Sequence, residues 1–149
     1  MRILKIAMLA ATLLPLGSYA ALGGAPSMDA SAPTMMLRSV APDTTSAAAY
    51  TVRASQTTYG ITVREYVLPT NVVFAVTWDG PVRPDMNALL GSYFPNFVSS
   101  GNGHPRGTGA LIERNGDFQI ESAGRAGHFF GKALLPRLMP ANVHIEDLQ

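Results

Sequence analysis

The chain predicts a single α+β domain, an antiparallel, meander-like sheet of about six strands packed on one short amphipathic helix. Three observations lead there. Segments that alternate apolar and polar residues recur between turn signals on both sides of position 90, and only one stretch, Met86 to Phe94, carries a helical period. The third is that Cys is 0, so a small domain must be held by packing alone.

The first strand is expected from Ala49, where Tyr50, Val52 and Ala54 alternate with Thr51, Arg53 and Ser55. After Gln56 and Thr57 a second run puts Tyr59, Ile61, Val63 and Val67 on one side and Thr62, Arg64 and Tyr66 on a partly wet one. Glu65 interrupts the apolar side and must lie near a rim or find a partner. Leu68-Pro69-Thr70-Asn71 is turn chemistry: proline presets φ and asparagine tolerates a left-handed backbone. In the third strand Val72, Phe74, Val76 and Trp78 fall on one face and Val73 and Ala75 on the other, which suits the centre of the sheet.

Asp79-Gly80-Pro81 stops that strand, and Pro84-Asp85 opens a helix with proline for its first turn and a carboxylate for its positive end. Met86, Leu89, Leu90, Tyr93 and Phe94 then form one apolar face, opposite Asn87, Ala88, Gly91 and Ser92. Pro95 marks the expected end of regular helix. Ser99 to Gly109 reads as a mobile, glycine-rich connection. Ala110 to Arg114 and Asp117 to Ala123 read as a hairpin reversed at Asn115-Gly116, with Arg114 opposite Asp117 and Leu111 opposite Ile120. His128 to Leu135 fits a helical side through Phe129, Phe130, Ala133 and Leu134, but Gly127, Gly131 and Pro136 favour a strand. Val143 and Ile145 alternate with His144 and Glu146 as a short last strand.

Ahead of the domain, residues 1–20 read as a secretory signal: Arg2 and Lys5, an apolar run from Ile6 to Leu16, and Ser18-Tyr19-Ala20 before a cut between Ala20 and Ala21. The apolar run is well short of the roughly 20 residues a spanning helix takes, so no transmembrane segment is expected after cleavage. Residues 21–48, rich in Ala, Ser, Thr, Pro and Met, read as a flexible, mostly unpacked leader before a domain over 49–149. Met28, Met35 and Met36 are its residues best suited to docking. Removing Arg2 and Lys5 takes the formal net charge of +1 slightly negative, which leaves no field for nucleic acid. The expected setting is the periplasm or the secreted space.

Val63-Arg64-Glu65-Tyr66-Val67, Val73 through Pro81 (Val-Phe-Ala-Val-Thr-Trp-Asp-Gly-Pro) and Leu89-Leu90-Gly91-Ser92-Tyr93-Phe94 together resemble a family of exported Gram-negative proteins classed only as a domain of unknown function. Ala21-Leu22-Gly23-Gly24 and the closing Leu135 to Gln149 are similar to it too, and Met86 stands where leucine is more usual. The resemblance implies a small exported domain and supplies no activity, ligand or catalytic residue.

No catalytic constellation emerges from the residues themselves. Ser92, Ser99 and Ser100 lack a Gly-x-Ser-x-Gly turn, and Glu146-Asp147 read as a solvated tail. His104, His128 and His144 share no ligand spacing, so they read as surface histidines rather than a site that folding assembles with Glu121 or Glu146 as an oxygen ligand, and no metal or cofactor is expected. Two ligand-binding readings are retained. In the glycine-rich loop, His104 and Arg106 would hold an anion, although neither the dinucleotide nor the phosphate-loop spacing is met. Trp78, with Tyr66, Tyr93 and Phe94, would line a pocket, against a core reading that explains Trp78 and Phe94 as well. The expected function is a non-catalytic binding or assembly module of the envelope, meeting another exported protein through a strand edge. The alternative is a small periplasmic hydrolase built from His104, Arg106 and His128, or a ligand carrier with an apolar cavity beneath Trp78.

Overall fold

The protein is described by a computed structural model, which covers residues 22–27, 50–102 and 110–148. Six antiparallel strands form one open sheet: β1 (Thr51–Gln56), β2 (Thr62–Val67), β3 (Val73–Gly80), β4 (Leu111–Asn115), β5 (Phe118–Arg125) and β6 (His128–Leu134). The spatial order β1-β2-β3-β6-β5-β4 makes two three-stranded meanders joined at a β3–β6 seam. The segment with two readings, His128 to Leu135, is thus a strand, and β3 and β6 occupy the centre. Glycine helps at this seam. A Cβ on Gly131 would stand 2.4 Å from the Glu121 carbonyl oxygen and 2.5 Å from the Trp78 ring, so only glycine lets β6 pass so close.

One face of the sheet is covered by helix. Asp85 caps α1 (Met86–Leu90) by accepting the Asn87 and Ala88 amides at 2.9 and 3.2 Å, so Pro84 lies just before the cap. Gly91, at φ 53°, ends α1, and a 3-10 turn (Gly91–Tyr93) leads into α2 (Phe94–Asn102). The expected stop at Pro95 is therefore wrong. Proline sits in the first turn of α2, where a missing amide hydrogen costs nothing, and the helix continues through Ser99 to Asn102. Met86, Leu89 and Leu90 are buried against Val63, Val76, Phe118, Ile120 and Ala133, with Tyr93, Phe94 and Phe97 at the margin. Tyr93 stacks on Phe118 at 5.6 Å.

Part of the expected leader belongs to this layer. Leu22 is 1% exposed, its amide donates to the Leu89 carbonyl, and Gly23 and Gly24 exchange backbone bonds with Val73. Ser27 answers the question posed by Glu65. That carboxylate is buried, not at a rim, and accepts the Ser27 hydroxyl at 2.6 Å and its amide at 3.2 Å. The remainder of the expected leader, residues 28–48, and the expected signal lie outside the described residues.

A bulge revises the faces of β3. Tyr66 pairs with Ala75 but Val67 pairs with Val73, so Phe74 is an extra residue and the alternation shifts there. Val73 joins Val76 and Trp78 on the helix side, while Phe74 joins Ala75 on the other, so Val73 and Phe74 exchange faces relative to the period-two expectation while Ala75, Val76 and Trp78 keep theirs. Tyr59 also departs from its expected apolar side; it stands exposed in the β1–β2 turn.

The β4–β5 turn is displaced by one residue. Asn115 pairs with Phe118 and Leu111 with Ser122, so Gly116 and Asp117 make the reversal instead of Asn115 and Gly116. Each expected partner moves by two, and every side chain therefore keeps its expected face. Past β6 no last strand forms at Val143 and Ile145. Pro136–Leu138 and Ile145–Asp147 are 3-10 turns of a coil that covers one end of the second sheet face. There Val143 and Leu148 pack on Phe74, Tyr66 and Leu134, beside an aromatic trio whose Tyr50–Phe74 and Tyr50–Tyr66 centroids lie 5.6 and 5.8 Å apart.

Candidate functional site

The C-terminal coil covers only part of that second face. Beyond Leu148 no described residue covers the sheet, and a groove of about 580 Å³ runs across it over five strands. Its floor follows from register. One cross-strand row is Arg64, Thr77, Lys132, Glu121 and Ile112, and the next is Thr62, Asp79, Phe130 and Ala123. Directly opposed residues share a face and are neighbours, so these side chains converge.

The two rows differ in character. In the first, Glu121 is engaged twice, by Arg114 at 3.4 Å and Lys132 at 3.8 Å, and Lys132 also donates to the Ile145 carbonyl at 3.1 Å. Arg64 makes no ion pair among the described residues. Thr77, between the two cations, is 5% exposed and its hydroxyl has no hydrogen-bond partner among the described residues. A hydroxyl so placed forfeits its water without replacement, at a cost of about 1–3 kcal/mol. In the second row Asp79 is bonded to His128 Nε2 at 2.9 Å, and Phe130, 46% exposed, stands in the groove with Ile112 at 50%. Large apolar side chains held half in water beside an unmet buried polar atom form a surface suited to a ligand with both characters.

Of the residues expected to bind ligand, His104 and Arg106 lie outside the described residues. Trp78 borders the groove, but it is 2% exposed and belongs to the helix-side core, where its indole lies against Gly131 and its Nε1 is unpartnered. Tyr93 and Phe94 share that core, whereas Tyr66 lies on the opposite face, so the four aromatics do not line one pocket. The Ser99 and Ser100 hydroxyls donate to the Pro95 and Asn96 carbonyls of their own helix. Among the described residues no group of three His, Asp or Glu side chains is placed to hold a metal ion. Nor is any helix among them long and apolar enough to cross a membrane.

Arg64, Thr77, Phe130 and Lys132 were not singled out by sequence reasoning. The one available signal was Thr77 itself, a polar residue within a strand otherwise apolar on both sides. No curated protein and no solved structure matches the chain. A family model described as "Protein of unknown function (DUF2844)" matches residues 18–148, nearly the whole sequence, and the chain therefore belongs to the DUF2844 family.

Proposed function

We propose that this protein is an exported, non-catalytic binding module of the periplasm or cell envelope, and that its ligand occupies the groove on the open sheet face. The observation that carries the reading is the pairing of an unmet, buried Thr77 hydroxyl with the half-exposed side chains of Phe130 and Ile112 in one concave surface. Burial without a partner is a cost that a bound molecule relieves. The Asp79–His128 pair beside the groove is an acid–base couple, but among the described residues no hydroxyl is bonded to His128, which weighs against the hydrolase alternative. The edges at β1 and β4 are where a strand of another exported protein would add, a separate use of the same module.

Two experiments test the reading. A screen of apolar fragments by protein-observed NMR on the full chain is expected to shift Thr77, Ile112 and Phe130 as a group. Hits scattered over the surface, or none, would remove the groove as the binding surface. For export, fractionation with N-terminal sequencing is expected to give an envelope or secreted form starting at Ala21, and an unprocessed cytosolic chain would reverse it.

A further inference from the structure

We infer that the groove selects a carboxylate-bearing amphiphile of the fatty-acid kind, its head over Thr77 and Arg64 and its chain along Phe130 and Ile112; this rests on the reading of the groove as the binding surface. Asp79 and Glu121 are the lining anions and Arg64 and Lys132 the lining cations. Glu121 is matched by Arg114 and Lys132, and Asp79 is bonded to His128, which leaves Arg64 as the lining cation without an ion pair among the described residues. Its register neighbour is Thr77, whose buried hydroxyl lacks a partner. A guanidinium presents parallel donors matched to the two oxygens of a carboxylate, and the hydroxyl adds a third donor to the same head. Lys132, on the other side of Thr77, contributes positive potential while remaining tied to the Ile145 carbonyl.

The remainder of the ligand must be poor in polar groups. The groove floor is a sheet face, whose backbone donors and acceptors are consumed in the ladders, so an extended peptide laid there would bury amides without partners. A hydrocarbon chain has none to satisfy, and Phe130 and Ile112 offer it apolar surface now held half in water.

The test uses three probes of equal chain length, decanoate, decanol and decylamine, titrated into the full chain and followed by NMR at Arg64, Thr77, Ile112 and Phe130. Decanoate is expected to saturate those shifts with an affinity at least about tenfold above the other two, and Arg64→Gln to weaken it about tenfold or more. Thr77→Val is expected to weaken decanoate about fivefold without loss of thermal stability, a combination that a purely structural threonine would not produce. If decanol or decylamine binds the same residues as tightly as decanoate, the carboxylate assignment falls while the groove stands. If none of the three moves those resonances, the assignment falls, and an empty fragment screen would take the groove reading with it.

Discussion

The two faces of this sheet are built by opposite rules. On the helix side the layer of α1, α2 and residues 22–27 closes over apolar side chains, and a buried carboxylate, Glu65, is met by both the amide and the hydroxyl of Ser27. On the other side the described part of the C-terminal coil covers only one end of the face, Thr77 is buried with its hydroxyl unmet among the described residues, and Phe130 and Ile112 stand half in water. Both faces bury polar groups in the middle of the sheet: Glu65 is met by Ser27, whereas Thr77 Oγ1 and, in the helix-side core, Trp78 Nε1 have no partner among the described residues. The difference separates a face closed by the chain's own helices from one that keeps large apolar side chains half in water.

Substitutions sharpen that contrast. The largest effect belongs on the closed face: Phe118→Ala removes a fully buried ring stacked by Tyr93 and should cost about 3–5 kcal/mol in chemical denaturation. A loss under about 1 kcal/mol would mean that the helix layer is not the core. Next, Ser27→Ala strips Glu65 of its hydroxyl donor and should cost about 1–3 kcal/mol. Thermal melts unchanged by this variant would show that the N-terminal residues do not hold the carboxylate. The sign reverses across the sheet, where Thr77→Val replaces an unmet hydroxyl by a methyl group and should raise stability by about 1 kcal/mol in the absence of ligand. Destabilisation there would reveal a partner for the hydroxyl and dissolve the comparison. Smallest of all, Phe130→Ser should change the unfolding free energy by no more than about 0.5 kcal/mol while reducing binding of apolar fragments, because the ring is already half exposed.

The same contrast explains what could be read beforehand. Strands were legible because Thr62 to Val67 and Phe118 to Ala123 carry a period of two, and the start of the helix because Asp85 and the Met86, Leu89, Leu90 spacing are local. Features that depend on a neighbour were not. The Phe74 bulge exists only against β2, and the helix passes Pro95 because Gly91 and a 3-10 turn reset its start. Val143 and Ile145 alternate like a strand, yet their segment coils over the second sheet face, where they pack with Tyr66, Phe74 and Leu134. The groove was least legible of all. Its residues come from five strands and meet only through register, so no window of sequence contains their pattern.

The β3–β6 seam has a kinetic consequence. Each meander closes over short turns, whereas the seam joins Ala75 to Leu134 and Gly80 to Phe129, about 50 to 60 residues apart in sequence, and its ladder forms only after a long loop has been closed. Local contacts thus favour early closure of each three-stranded meander, with the seam as the slower step. The groove straddles that line and is expected to form with it, which pulsed hydrogen exchange at β3 and β6 would check.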